Sequence, residues 1–345
     1  MLQTINLENF RNHHLKSFDF ESTATVIVGP NGVGKTNLLE AVYISSLTRS
    51  YRGNDSLLLR HKHHYYRVES SYSDGIASLG YSEMESSRTK KATWNDRQVP
   101  LSKLIGMHPV VLFEPNQTQL FSEVPTVRRR YLDTVLSQVD STYLAQARTY
   151  RKLIMQRNKL LEEYPTSSTQ KDQIMVYTIQ LIDPICYIVK KRQHFLHSII
   201  KDINWLYQQI TSTSAKLSTN YQATVDIEQD IPEQFSKIQS REQRAKRTLI
   251  GPHRDDFGVE IDGLPVQEVS SRGELRAMLL ALKYAEYLYI KDATNHKPIL
   301  LFDDVLSEFD PVRQKRFLQT NFDGQLIITT TEIPTHLSNL GVIEL

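Results

Sequence analysis

Eight residues near the amino terminus carry the clearest chemical pattern in this 345-residue chain. Gly29-Pro30-Asn31-Gly32-Val33-Gly34-Lys35-Thr36 has the spacing G-x-x-x-x-G-K-[ST], in which small residues let backbone N–H groups wrap a string of phosphates. Lys35 is placed to reach the terminal phosphates, and Thr36 to ligate Mg²⁺. Far along the chain, Ile299-Leu300-Leu301-Phe302-Asp303-Asp304 is an apolar run ending in two carboxylates. Asp303 is the expected magnesium partner, and Asp304 is placed to orient or deprotonate a water attacking a phosphoryl group. Alone, such a pair reads equally well as a helix cap; together with the upstream loop it points to ATP and Mg²⁺ as cofactors. A third stretch, Ser270-Ser271-Arg272-Gly273-Glu274-Leu275-Arg276, sets a hydroxyl and a close-approach glycine before an apolar helix over Ala277 to Tyr289, which offers a second phosphate site. Those residues also describe an ordinary Ser-capped helix with Glu on its first turn.

These groups need elements to position them. Val26-Ile27-Val28 before the glycine loop reads as a strand, and an apolar helix over about Lys35 to Leu47 follows it. Strand patterns at Leu2 to Leu7, Ala24 to Val28, Tyr65 to Tyr72, Ile76 to Tyr81, Ala92 to Trp94 and Val110 to Phe113, with a turn at Asn95-Asp96, predict an antiparallel sheet in the first third. From Asn116 to Ala245 the pattern becomes helical, including Tyr143 to Tyr164 and Ile174 to Ile210 joined by the polar Pro165-Thr166-Ser167-Ser168-Thr169. Strand character returns at Phe257 to Ile261, a helix is expected over about Glu274 to Ile290, and strands at Pro298 to Phe302 and Gln325 to Thr329. The predicted organisation is an α/β P-loop ATPase head made of 1–115 and 246–345, interrupted by a helical arm domain at 116–245. That insertion is too short for a long coiled coil.

Composition bounds the remaining classes. Hydrophobic content of 40% and charged content of 23% are those of an ordinary globular chain, which excludes disorder and fibrous repeats. A single cysteine, Cys186, supplies neither an internal disulfide nor a Cys-rich metal site, and no apolar run reaches membrane-spanning length. A soluble cytoplasmic protein with no membrane partner is expected. A formal charge of +2 means that any nucleic-acid binding must come from local patches. Between Asn116 and Ala245 there are 17 Lys/Arg against 13 Asp/Glu, with clusters at Arg128-Arg129-Arg130, at Arg148, Arg151 and Lys152, and at Lys190-Lys191-Arg192. Such clusters are candidate contacts to DNA phosphates, and equally describe solvated faces.

The order Phe10-Arg11-Asn12, Gly29 to Thr36, Gly251-Pro252-His253-Arg254-Asp255-Asp256, Ser271-Arg272-Gly273-Glu274 and Asp303-Asp304-Val305-Leu306-Ser307-Glu308-Phe309-Asp310 closely resembles the bacterial RecF recombination mediators over essentially the whole chain. The resemblance implies an ABC-type ATPase head like that of the chromosome-maintenance proteins, with an antiparallel β subdomain and a short helical arm. It implies a homodimer that sandwiches ATP, in which Ser271, Gly273 and Glu274 face the γ-phosphate held by the other subunit's Lys35. Ser307 to Asp310 would border that interface, and Arg11 would approach the nucleotide phosphates. The implied task is to mark gapped DNA at single-strand/double-strand junctions and, with RecR, to help load RecA during repair.

Two positions depart from the related heads. Arg272 stands where RecF proteins more usually carry Gln, and Asp304 where related heads commonly carry Glu but RecF-like proteins often have the shorter carboxylate; slow hydrolysis is implied. The water-contacting Gln of such heads corresponds to Gln117 or Gln119. A nucleotide-binding subunit of an ABC transporter shares the loop and signature logic but gives no account of the arm. A P-loop kinase gives none of the second phosphate-binding sequence.

Overall fold

Two kinds of sheet arise from two kinds of residue pattern. The computed structural model of the chain describes residues 1–20, 23–122, 124–163, 168–304, 323–332 and 340–345. Its antiparallel strands β1 (Leu2–Phe10), β2 (His13–Asp19), β4 (Tyr65–Tyr72), β5 (Gly75–Met84), β6 (Ser87–Trp94) and β7 (Arg97–Val99) pair in the order β2-β1-β4-β5-β6-β7. In β4, Tyr66, Val68, Ser70 and Tyr72 turn inward while Tyr65 and Arg67 face out, the alternation of a sheet covered on one side. Asn95 and Asp96 both take positive φ, 48° and 62°, between Trp94 and Arg97, as a two-residue hairpin turn requires.

The second sheet is parallel: β3 (Ala24–Val28), β8 (Val110–Phe113), β12 (Ile299–Asp303), β13 (Leu326–Thr330) and β14 (Gly341–Glu344), in the order β14-β3-β13-β12-β8. Every residue of β8 and β12 is buried, so these strands are apolar runs without alternation. Helix α1 (Lys35–Leu47) packs against both sheets, which is why it is buried nearly all round and carries no amphipathic stripe. It ends at Thr48, whose left-handed backbone (φ 55°) directs its N–H to the Ile44 carbonyl at 2.8 Å. Helix α2 (Leu101–Leu104) lies between β7 and β8.

The chain divides into two compact units, Met1–Gln117, Gln209–Ser212 and Arg276–Leu345 against Thr118–Gln208 and Thr213–Leu275. The second unit holds α3 (Gln119–Ser122), α4 (Pro125–Val139), α5 (Ser141–Glu162), α6 (Ser168–Gln180), α8 (Ile231–Ala245), α9 (Val266–Val269) and most of α7 (Ile182–Thr211). Asp140 caps α5 by accepting from the Tyr143 N–H at 2.9 Å, and the stripe Tyr143, Tyr150, Leu153, Ile154, Arg157 and Leu161 faces the interior. The helix expected over Ile174 to Ile210 is broken at Leu181. Pro184 has no N–H and clashes with a preceding turn, so the helix restarts with Pro184 in the first turn of α7. Of the polar connection 165–169, residues 165–167 lie outside the described residues and Ser168 opens α6.

This unit also contains a small sheet, β9 (Leu217–Gln222), β10 (Asp256–Ile261) and β11 (Leu264–Pro265); β10 stands where a strand was expected over Phe257 to Ile261, whereas β9 falls within the stretch 116–245 read as helical. β9 pairs with β10 from Leu217 opposite Ile261 to Gln222 opposite Asp256. That pairing holds residues 246–275 in the second unit, so the compact boundary falls at 275/276 where the sequence placed a return to the head at 245/246. Helix α10 (Arg272–Thr294) runs on from this boundary and buries Ala277 to Lys283.

Candidate nucleotide-binding site

The parallel sheet brings the carboxyl ends of β3, β13, β12 and β8 side by side, the place where open α/β sheets bind ligands. From β3 the chain turns through Gly29 to Gly34 into α1. Gly32 and Gly34 take φ of 83° and 120°. At Gly34 a Cβ would also lie 2.7 Å from the Asn12 side chain, so no other residue fits. Asn12 donates to the Val33 carbonyl at 2.7 Å and accepts from the Asn37 amide at 2.8 Å, which clamps the loop to the Phe10-Arg11-Asn12 turn. Lys35 Nζ donates to the Gly29 and Pro30 carbonyls at 2.6 and 3.0 Å, which centres its ammonium under the loop.

On the neighbouring strands, Thr36 Oγ1 donates to Asp303 Oδ1 at 2.8 Å, and Thr329 Oγ1 donates to the same oxygen at 2.9 Å. The Asp304 N–H donates to Thr329 Oγ1 at 2.9 Å, and Asp304 has left-handed backbone, φ 52°. Thus Thr36 and Asp303, the two residues expected to hold magnesium, are in direct contact across 267 residues of sequence. Burial pushes the Asp303 carboxyl above its ordinary pKa, against the hydrogen bonds from Thr329 and Thr36 and the charge of Arg52. In the parallel register Phe302 stands beside Phe113, so Glu114 follows next to Asp303; burial first and Asp303 second raise its pKa too. Gln117, in the turn Pro115–Thr118 just after β8, has its Oε1 sealed from water without a partner among the described residues; Gln119 opens α3 in the other unit. Val305 to Asp310 lie outside the described residues.

Arg11 does not point at the phosphate loop. Its Nε and Nη2 form a fork on Glu40 at 2.8 and 2.9 Å, and Nη1 reaches the Leu57 carbonyl at 2.8 Å. Glu40 is fully buried in α1, accepts from Ser50 Oγ at 2.5 Å and has Arg52 at 3.6 Å. Arg52 donates to Asn37 at 3.0 Å. This ring of Arg11, Glu40, Arg52, Asn37 and Asn12 supports the loop from behind, and corrects the expectation that Arg11 itself faces phosphate. Glu40 and Arg52 were missed, although an acidic residue inside the apolar run Leu38 to Leu47 is a signal that a buried partner exists.

At the head of α10, the Ser271 N–H donates to Glu274 Oε2 at 2.7 Å and the Glu274 N–H donates to Ser271 Oγ at 3.3 Å. This is a reciprocal capping box, with Ser271 and Arg272 exposed and Gly273 half-buried.

The cation clusters resolve into members tied into the fold and members exposed on its surface. Arg128 forms a fork on Asp256 at 2.7 and 2.8 Å. Arg129 donates to the Asp255 carbonyl at 2.9 Å. Arg192 is buried between Asp133, Tyr143 and the Pro252 carbonyl, and Lys191 pairs with Asp140. Arg130, Arg148, Arg151 and Lys152 are exposed. Arg128 and Arg192 therefore hold the fold together and are corrected from the set of candidate DNA contacts.

The model of the RecF/RecN/SMC N-terminal domain family matches residues 1–338. Proteins named DNA replication and repair protein RecF from Bacillus cereus (strain B4264) and Bacillus anthracis (strain A0248) are each 35% identical to this chain, over 96% of it and 92% of their own length. The chain belongs to the RecF family. A solved structure described as the recombination mediator protein RecF-ATP in the RecFOR pathway has a TM-score of 0.89 at 26% identity, covering 99% of this chain and 95% of that one. The Smc head domain of Pyrococcus furiosus shares the fold, with a TM-score of 0.52 at 14% identity.

The architecture is thus that of a RecF ABC-type ATPase, kin to the Smc head. The donor set at its sheet edge, one hydroxyl and one carboxylate, is all oxygen, as Mg²⁺ prefers beside phosphate. Among the described residues no three His, Cys, Asp or Glu converge to hold an ion. No helix among the described residues is long and apolar enough to cross a membrane.

Proposed function

We propose that this RecF-family chain is an ATP-gated DNA-binding protein of recombinational repair, which closes as a homodimer on Mg²⁺ and ATP at gapped duplexes and reopens after slow hydrolysis. The observation that carries the nucleotide reading is the Thr36–Asp303 contact at 2.8 Å beside the glycine loop. Lys35 would exchange the Gly29 and Pro30 carbonyls for the terminal phosphates, a trade of dipoles for full charges. Thr36 and Asp303 would hold the magnesium, which neutralises phosphate charge when bound. Asp304 would orient the attacking water.

The dimeric reading rests on the family and on the Ser271 cap. In the capping box, Ser271 Oγ accepts from the Glu274 N–H and keeps its O–H as a donor. That hydroxyl, Gly273 and the free N–H groups of α10 would meet the partner's γ-phosphate. The task proposed for the closed dimer is to mark single-strand/double-strand junctions and, with RecR, help load RecA. DNA binding measured with ATP, ADP and no nucleotide across a salt series tests this. ATP-dependent, salt-sensitive binding is expected, and equal binding in all three states refutes the gating.

A further inference from the structure

The Gly251-to-Asp256 loop takes no part in the nucleotide site, yet five of its six residues are spent inside the second unit. Gly251 has φ 118°, and a Cβ there would lie 2.5 Å from Tyr150 Oη. The Pro252 carbonyl accepts from Arg192 at 2.8 Å. His253 is held between the Tyr150 hydroxyl at 2.5 Å and the Thr248 carbonyl at 3.2 Å. Asp255, fully buried, accepts from Tyr221 at 2.7 Å and from the Thr224 N–H and hydroxyl at 2.8 and 2.7 Å. Asp256 takes the Arg128 fork.

Arg254 is the exception. Among the described residues its Nη2 reaches only the Thr248 carbonyl at 3.4 Å, and its Nε is sealed from water with no acceptor. Beside it, Arg129 binds the carbonyl of the next residue, Asp255, and Thr126 Oγ1 at 3.1 Å. Neither arginine has a carboxylate within 4 Å among the described residues, because the nearby Asp133, Asp255 and Asp256 are taken by other partners. Burial, then Arg192, push the Arg129 guanidinium below its ordinary pKa, with Asp256 opposing, Arg254 adding to the repulsion and Asp255 opposing it. Two neighbouring guanidinium groups without a directly paired carboxylate among the described residues keep donors for a further anion. Both lie near the first turns of the 15-residue α4, whose amino end adds positive potential.

We propose that Arg254 and Arg129 form a seat for a backbone phosphate of DNA, and that the rigid loop serves to present Arg254. The guanidinium fork matches phosphate oxygens. A polymer rather than a lone anion is favoured because Arg148, Arg151 and Lys152 are exposed on the α5 turns flanking Tyr150, the residue bonded to His253. The inference rests on the DNA-binding reading above and goes beyond it by naming the seat.

The test is anisotropy of a labelled gapped duplex with ATP over a salt series, for wild type, Arg254→Gln, Arg254→Lys, Arg129→Gln and the double Gln variant. Each released phosphate contact lowers the slope of log affinity against log salt by about 0.9. Each Gln variant is expected to lose about one contact's worth of slope and the double variant about two, while Arg254→Lys keeps its slope because the charge remains. Thermal unfolding of Arg254→Gln and Arg254→Lys separates folding from binding: a slope lost in Gln and kept in Lys at matched unfolding temperature supports the seat. Wild-type binding with unaltered slopes in both Gln variants overturns the seat alone. A fall in affinity for a fluorescent ATP analogue in Arg254→Gln, with the DNA slope intact, assigns the pair to nucleotide phosphate and also overturns it. No DNA binding by the wild type overturns the DNA reading and this seat with it.

Discussion

Removing the Glu40 carboxylate tests whether the ring behind the phosphate loop holds the head together. Glu40 is wholly buried, Arg11 is 20% exposed, and the two share a fork at 2.8 and 2.9 Å, with Ser50 as a third donor. Glu40→Ala leaves the Arg11 fork facing a cavity and removes the carboxylate that accepts from the Ser50 hydroxyl. Breaking one side of a buried ion pair costs about 3–5 kcal/mol. At about 2–4 °C per kcal/mol for a unit of this size, the melting temperature should fall by about 6–20 °C. Glu40→Gln keeps an accepting oxygen and should lose about half as much. Arg11→Ala strands Glu40 and should cost a comparable amount, but the double variant should fall short of the sum by about 1–3 kcal/mol, because both single changes break the same fork. Thermal unfolding followed by circular dichroism reads all four proteins. A shift of less than about 2 °C in Glu40→Ala, or strict additivity in the double variant, refutes the view that this pair carries the support.

Lys35→Ala should fold and lose ATP-induced dimers, read by light scattering, since the lost ammonium removes charge stabilisation at the terminal phosphates. Asp304→Asn should prolong ATP-bound dimers in a nucleotide-release assay, whereas Asp303→Asn should raise the magnesium needed for nucleotide binding, measured by titration with a fluorescent ATP analogue. His253 is buried as the neutral ring with its pKa pushed down to about 4, chiefly by burial. Above its ordinary value neither state binds the proton; as pH falls from about 6.5 to about 4 only the unfolded chain does, so up to about 3 kcal/mol of stability is lost over that window, and urea titrations at several pH values should show a flatter profile in His253→Gln. A Ser271→Arg subunit mixed with a Lys35→Ala subunit should recover hydrolysis that neither parent has, provided mixed dimers are verified; no recovery refutes the shared site.

Elements whose pattern is local were legible in the sequence. Ala24–Val28, Lys35–Leu47, Tyr65–Tyr72 and Val110–Phe113 stand where apolar runs, alternation and the glycine loop put them. β9 was not legible because Leu217 to Gln222 is mostly polar and becomes a strand only by pairing with β10, over thirty residues on. The same distance hid the fate of the cations. Arg128 and Arg130 look alike in a run of three, and only the fold sets Asp256 against the first. Clustering measures charge density along the chain, whereas binding depends on which charges remain uncompensated in space.

The Ser271 segment shows that a structural and a functional reading of one motif can share a cause. A helix begins with N–H groups that lack partners inside the helix. A Ser-x-x-Glu box answers two of them reciprocally, as Ser271 and Glu274 do here. The glycine loop ahead of α1 presents the same deficit to phosphate, with Gly32 and Gly34 keeping side chains out of the way. Gly273, inside the first turn of α10, keeps its backbone open in the same manner. Capping and phosphate binding therefore compete at this helix end only for the Ser271 N–H that the Glu274 carboxylate occupies, and an arriving γ-phosphate would repel that carboxylate by charge. Release of Glu274 from the Ser271 N–H on closure is the outcome this requires. Glu274→Gln, which keeps the cap and removes the repulsion, should tighten the ATP-dependent dimer measured by light scattering; a weaker dimer would show that the carboxylate itself is needed for closure.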